Sequence, residues 1–249
     1  MNKESKIPLP QKPKITQEYS DAHRAIIEIN DLYPGYGTTI GNALRRVLYS
    51  SLEGSAVTTL RIQGASHEFS TLDNILEDVL EISLNIKSIH PIIHEGDSHT
   101  LKISAKGKKE VKAKDIEAPS QVEVINPDAH IATLTSSNAE LNLEMVVERG
   151  VGYRPMGQDT KDKKEIGVIS LDAVFSPIVK VNFDVENMRV GDRIDYNRLL
   201  LDVTTNGIIS PAEAYEQAVA ILTQHFTALT EVEGASPKKK ARASKKAKK

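Results

Sequence analysis

Residues 34–62 read PGYGTTIGNALRRVLYSSLEGSAVTTLRI, and along this stretch the pattern changes from a turn to a helix and then to a strand. The glycines of 34–37 predict the turn. A hydroxyl of Thr38 or Thr39 is expected to cap the helix, because it can accept an otherwise unpaired backbone N–H. Apolar side chains then recur at the spacing that places one stripe against a core: Ile40, Ala43, Leu44, Val47 and Leu48. The segment VTTLRI predicts the strand.

The opposite face of this helix carries Asn42, Arg45, Arg46 and Tyr49. A polar helix face is most often an ordinary solvated surface. Arginine and tyrosine are also enriched in protein interfaces, where a guanidinium can bind a carboxylate through two hydrogen bonds. From the residues alone, both interpretations stay open.

Outward from this stretch, further elements are predicted on both sides. Upstream, prolines within the first fourteen residues favour an extended arm, which leads into a strand at 22–29. Downstream, the segment HEF at 67–69 continues the strand pattern beyond Gly64, and a second helix is predicted over 74–87. Its solvated side is expected to hold Glu77, Asp78 and Glu81.

Beyond the second helix, the chain predicts mainly antiparallel sheet. Short alternating segments separated by turns occupy 99–150, and longer ones occupy 168–174, 179–187 and 198–205. Since helices and antiparallel strands occur in separate runs, the predicted fold class is α+β.

A final helix is predicted from Ser210, the N-cap, with Pro211 at its first position and Glu213 completing a capping box. Its apolar stripe could cover the sheet of its own chain or pack against a second copy. The first helix offers a matching apolar face, so a four-helix homodimer interface is one interpretation. The candidate dimer contacts are Leu44, Leu48, Tyr215, Ala218, Leu222 and Phe226.

Composition limits the classes of protein to be considered. The sequence has no Cys, which excludes disulfides and thiolate chemistry and fits a reducing compartment such as the cytoplasm. No stretch approaches the ~20 apolar residues that span a bilayer, so no membrane association is expected.

The net charge of −2 is unevenly distributed. Residues 237–249, PKKKARASKKAKK, hold eight basic residues and no acidic one, which leaves 24 basic against 34 acidic residues elsewhere. The acidic remainder should repel nucleic acid, whereas the tail has the composition of a disordered arm that binds phosphates. Candidate DNA contacts are Lys238, Lys239, Lys240 and Arg242; an inert extension and a basic targeting signal are the alternatives.

Motifs that carry chemistry are weak. The glycine spacing at Gly35, Gly37 and Gly41 lacks the pattern of a dinucleotide or phosphate site, and Gly41 is better explained by a close helix contact. No catalytic triad context is found. Three histidines are separated by helix-breaking residues and match no metal spacing: His90, His94 and His99. We therefore predict neither a cofactor nor a metal nor a catalytic residue.

Several blocks of the sequence closely resemble the amino-terminal domain of the bacterial RNA polymerase alpha subunit. The similarity covers about 15–229, and the GNALRR block followed in order by TTNG is its most specific part. The matching blocks are 34–71, EDVLEISLNIK at 77–87, VERGVGYRP at 147–155, IGVISLDAVFSPIVKVNFDVE at 166–186 and LLLDVTTNGIISPAEA at 199–214.

This resemblance implies a domain of two parts, with the dimerisation part formed by 1–52 and 177–235 and an inserted part by 53–176. Residues 236–249 would be a disordered tail. In the family, the alpha dimer nucleates assembly by binding the beta and then the beta-prime subunit, with omega and sigma in the full enzyme. The polymerisation chemistry belongs to those partners, so this chain is expected to be a non-catalytic part of the enzyme.

The resemblance also implies partner-binding residues. The family's beta-docking arginine, the second of a pair, falls on Arg46. Further beta contacts are expected on the same helix face and in the following segment: Asn42, Arg45, Tyr49, His67, Glu68 and Phe69. For beta-prime the candidates are Asn85, Lys87, Ser176 and Lys180.

One departure concerns the carboxy-terminal end. Most family members continue into a small helical domain that binds promoter DNA, whereas the basic tail stands here in its place. Either the lineage lacks that domain or the sequence is truncated before it. Two other classes of protein remain as alternatives, a dimeric nucleic-acid-binding module and a small-molecule enzyme, and co-purifying partners would distinguish them.

Overall fold

The computed structural model describes residues 7–18, 23–156 and 167–230. Within these ranges the α-helices are α1 (Tyr36–Ser51), α2 (Val79–Lys87) and α3 (Pro211–Ala228), and one turn of 3-10 helix lies at Ala113–Asp115. The strands are β1 (Lys14–Glu18), β2 (Arg24–Leu32), β3 (Glu53–Ile62), β4 (Pro91–Ile93), β5 (Ser98–Lys106), β6 (Lys109–Lys112), β7 (Val122–Val124), β8 (His130–Leu134), β9 (Glu140–Val151), β10 (Tyr153–Arg154), β11 (Val168–Ser170), β12 (Ala173–Val174), β13 (Ile178–Val190) and β14 (Arg193–Thr205).

The first and last parts of the chain share one antiparallel sheet. Its strand order is β1-β2-β14-β13, and α1 and α3 pack together on one face of it. Gly41 allows α1 to approach the sheet closely, because a β-carbon there would lie 2.7 Å from the Phe183 ring and 2.9 Å from Leu199. This confirms the close helix contact predicted at Gly41. The resulting core is drawn from 27–52 and 178–218.

The middle of the chain has its own core. A second antiparallel sheet, in the order β11-β3-β9-β5, packs with α2 and the short pairs β4–β7 and β6–β8. All buried residues of this second core lie between Val57 and Leu171. Helices and antiparallel sheets therefore combine in an α+β fold, as predicted.

The start of α1 differs from the expected one. The helix begins at Tyr36, its N-cap is Gly35 with φ 86°, and no side chain of the same segment caps it. The amides of Gly35 and Gly37 instead donate to Oδ1 of Asn197 on β14, at 2.9 and 3.4 Å. The hydroxyl of Thr39 donates back to the Gly35 carbonyl. The capping acceptor comes from a distant strand, so local sequence could not identify it.

The start of α2 was also predicted wrongly. The helix begins at Val79, five residues later than expected, with Asp78 as the N-cap that accepts the amide of Glu81. Asn74 has φ 61°, a left-handed conformation that interrupts helix geometry. The segment 67–69 forms a turn and not a strand.

Glu77, placed by the sequence on the solvated side, is buried with 6% of its surface exposed. Its carboxylate accepts the backbone N–H of Thr133 at 2.6 Å, and its other oxygen lies 2.9 Å from Nε2 of His130. Burial raises the pKa of Glu77, but these hydrogen bonds outweigh it and hold the pKa below its usual value. The carboxylate thus joins the segment before α2 to strand β8.

Candidate partner-binding surfaces

The polar face of α1 is exposed as the helical spacing predicts. Asn42, Arg45, Arg46 and Tyr49 all lie on the solvent side, while Leu44 and Leu48 point into the core. Neither guanidinium has a hydrogen-bond or ion-pair partner among the described residues. Two unpaired guanidinium groups one turn from a tyrosine form a surface that can bind carboxylates or carbonyls of another chain.

Tyr49 is held in place although 37% of it is exposed. Its hydroxyl accepts the backbone N–H of Val181, at 2.7 Å, and Val181 lies on β13. In the part of the chain that the structure describes, β13 is an edge strand of its sheet, so this amide has no strand partner on that side. The ring of Tyr49 can contact a partner, while its hydroxyl is hydrogen-bonded to a strand of its own chain.

The second group of predicted beta contacts lies on the turn after β3. The amide of Ser70 donates to the carbonyl of His67 at 3.2 Å, and the Ser70 hydroxyl lies 3.3 Å from the His67 ring. Phe69 is 73% exposed, and Glu68 is half-buried. Strand β3 has ten residues and spans about 30 Å between α1 and this turn. The two groups of predicted beta contacts thus lie before and after β3 in the chain.

Two of the predicted beta-prime contacts meet in one cleft of about 300 Å³. Lys87 and Ser176 line it, and the ammonium of Lys87 lies 2.6 Å from Oδ1 of Asp172. The hydrogen bond from Lys87 holds the pKa of Asp172 below its usual range, despite the opposing effect of burial. The cleft also exposes Val174 and Val179. Segments far apart in sequence thus form one surface.

The other two beta-prime candidates occupy different settings. Asn85 is half-buried, and its side-chain amide donates to the carbonyl of Ile131 at 3.1 Å, so it braces α2 against β8. Lys180 is exposed on β13, next to Val179. Sequence reasoning did not find Asp172, because nothing local links it to Lys87, which lies 85 positions away.

The predicted dimer contacts divide into two groups. Leu44, Leu48 and Ala218 are at most 2% exposed and belong to the core of their own chain, so they have no surface left for a second copy. Tyr215 and Leu222 are half-buried, and Phe226 is 63% exposed. The carboxyl-terminal half of α3 therefore projects beyond the sheet that its first half covers.

The described residues hold no group of three or more His, Asp or Glu side chains that could bind a metal ion. His99 lies 2.6 Å from the carbonyl oxygen of Glu95, and His94 lies 3.3 Å from a carboxylate oxygen of Glu123. Among the same residues, no helix is both long and apolar enough to cross a membrane. The candidate DNA contacts Lys238, Lys239, Lys240 and Arg242 lie outside the described ranges.

The chain is similar in sequence to known RNA polymerase subunits. Residues 60–176 match the family described as the RNA polymerase Rpb3/RpoA insert domain. The DNA-directed RNA polymerase subunit alpha of Carboxydothermus hydrogenoformans is 47% identical over 217 residues, which are 87% of this chain and 69% of that protein. The subunit of the same name from Oceanobacillus iheyensis is 46% identical over 226 residues, 89% of this chain and 72% of that protein. For Hydrogenobaculum sp. the identity is 44% over 219 residues, with 88% and 68% covered.

This identity covers 87–89% of the chain and 68–72% of those proteins. The chain therefore belongs to the family of DNA-directed RNA polymerase alpha subunits.

Proposed function

We propose that this chain is the structural alpha subunit of a DNA-directed RNA polymerase, which dimerises and then holds the beta and beta-prime subunits for transcription. The observation that carries the proposal is the carboxyl-terminal half of α3. Phe226 and Leu229 are 63% and 73% exposed at the end of an amphipathic helix whose first half buries one face, through Pro211, Ala214 and Ala218, against its own chain. A second copy of the helix would remove this apolar surface from water.

The face of α1 is the proposed beta-docking surface. Within 7–18, 23–156 and 167–230, Arg45 and Arg46 have no hydrogen-bond or ion-pair partner, and Tyr49 offers a partly exposed ring beside them. Arginine and tyrosine are the residue types that most often dominate binding energy in interfaces. The turn at 67–69 adds the exposed Phe69 as a second contact, with His67 and Glu68 beside it.

The cleft between Lys87 and Ser176 is the proposed beta-prime surface. It combines an ion pair, Lys87 with Asp172, and two exposed valines, Val174 and Val179. Lys180 extends this surface along β13. Apolar centres with a polar rim are typical of protein interfaces.

The two separate cores support a division of the chain into two parts with different roles. We propose that 1–52 and 177–235 form the dimerisation part and 53–176 the inserted part. Omega and sigma would join the assembled enzyme, which would bind DNA in the cytoplasm. The catalytic residues for RNA synthesis would belong to beta and beta-prime. The basic tail, 236–249, would add non-specific contact with DNA.

Paired variants test the assignment of the two surfaces. Arg46→Ala should weaken beta capture by about 2–5 kcal/mol, because it removes a charged anchor, and Arg45→Ala should cost less. Lys87→Ala combined with Lys180→Ala should leave beta capture intact and weaken the later binding of beta-prime. Pull-down with purified subunits measures both. If both sets of variants lost the same partner, the two-surface proposal would be wrong.

A further inference from the structure

The outer edge of β13 is closed by side chains at two places. The N–H of Val181 donates to the Tyr49 hydroxyl at 2.7 Å, and the N–H of Val185 donates to Oδ1 of Asp184 at 3.0 Å. An edge strand with free amides can pair with a strand of another chain. Side chains that hydrogen-bond these amides therefore protect the edge from unwanted association. Asp184 accepts the amide of the next residue on its own strand, whereas Tyr49 reaches the edge of β13 from α1.

The contact lies between the two surfaces proposed above. Tyr49 follows Arg45 by four residues and Arg46 by three, which places the three side chains on one stretch of helix surface. Val181 directly follows Lys180, and the register of β13 against β14 shifts between Ile178 and Lys180. One hydroxyl therefore joins the arginine face of α1 to the irregular start of β13.

This contact also fixes the ring of Tyr49. A tyrosine on an exposed helix face ordinarily samples several rotamers, and ordering it on binding costs free energy. Here the hydroxyl is anchored to a backbone amide before any partner arrives. The half-exposed ring is thus presented in one orientation next to the two guanidinium groups.

We propose that Tyr49 is a positioning residue, whose hydroxyl bond to the Val181 amide pre-organises the beta-docking face of α1 and holds that face to the edge strand carrying Lys180. The inference rests on the proposed function, since it concerns the surface assigned to beta. It assigns to the hydroxyl a role that is separate from contact by the ring.

The variant Tyr49→Phe removes the hydroxyl and keeps the ring. The matched control is Tyr36→Phe, because Tyr36 lies on the same helix, is 44% exposed and has no hydrogen-bond partner for its hydroxyl among the described residues. For Tyr49→Phe we expect the amide of Val181 to exchange its hydrogen about fivefold faster, as measured by NMR. We also expect affinity for the purified beta subunit to fall about threefold to tenfold. Dimer mass and melting temperature should stay close to those of the control.

Results other than these would contradict different parts of the Tyr49 proposal. Unchanged exchange at Val181 would show that the hydrogen bond is absent in solution, and unchanged beta affinity would show that it does not position the docking face. Loss of dimerisation together with beta capture would make Tyr49 a general stabilising residue. If Arg46→Ala also left beta capture unchanged, the proposed beta surface itself would fail, and that result is distinguishable from failure of the Tyr49 proposal.

Discussion

A β-carbon placed on Gly54 would overlap the carbonyl oxygen of Phe175. Gly54 and Phe175 lie on the two segments by which the chain passes between its cores, so these segments touch each other at the crossing. Gly150 admits the ring of Phe175 in the same way, with its own β-carbon position 2.8 Å from three ring atoms. The two segments that connect the cores are therefore packed tightly against each other.

Gly54→Ala should destabilise the protein by about 2 kcal/mol or more, because the neighbouring atom is backbone and cannot rotate away. Gly191→Ala is the control: its β-carbon would meet open space, and only its φ of 62° makes the substitution unfavourable. The Gly191→Ala substitution should lower the free energy of unfolding by about 1 kcal/mol. Urea unfolding measures both, and equal losses would mean that the crossing tolerates the extra carbon.

The buried carboxylate of Glu77 predicts a dependence of stability on pH. Its pKa is held below the usual value in the folded state, so its contribution is present near neutral pH and is lost as the pH falls through the folded-state pKa. Glu77→Gln should therefore cost about 1–3 kcal/mol at pH 7 and much less under acid conditions. Urea unfolding of both proteins at pH 7 and at pH 4 and below tests this. A difference between the proteins that stayed constant with pH would contradict it.

The end of α3 should be needed for dimerisation but not for folding. Phe226→Glu would place a charge in the proposed interface, so we expect sedimentation of this variant as a folded monomer. Ile194→Glu is the control, since Ile194 is an equally apolar side chain that is 72% exposed at the start of β14 and not on α3. A Phe226→Glu protein that remained dimeric would remove this half of α3 from the interface.

The basic tail should affect DNA contact alone. If all eight basic residues of 237–249 paired with phosphates, the slope of the logarithm of the DNA-binding constant against the logarithm of the salt concentration would change by about −7. Pairing of only some of them would give a fraction of that change. Deleting 237–249 should flatten the salt dependence of DNA binding by the assembled enzyme and leave dimerisation unchanged. Identical slopes with and without the tail would indicate that it does not touch nucleic acid.

Elements with local signals could be predicted from the sequence. The predicted capping box of Ser210 and Glu213 is present, with Pro211 at the first turn of α3. The exposed arginine face of α1 follows directly from helical periodicity. These features depend on residues within a few positions of one another, which is why pattern alone was sufficient.

The errors have non-local causes. The cap of α1 comes from Asn197, and Glu77 is buried by His130 and Thr133, which lie more than fifty positions away. Lys87 likewise meets Asp172 only in the folded chain. Sequence periodicity also could not separate Leu44 and Leu48, which fill the chain's own core, from Phe226, which faces solvent.

We propose that two copies of this chain form the platform on which the beta and then the beta-prime subunit bind. Size-exclusion chromatography with light scattering, applied to the purified chain before and after addition of the purified beta subunit, tests it most directly. We predict twice the mass of 27.4 kDa for the chain alone, and then one complex that contains two copies of the chain and beta. A stable monomer of 27.4 kDa that stays separate from beta would contradict the account.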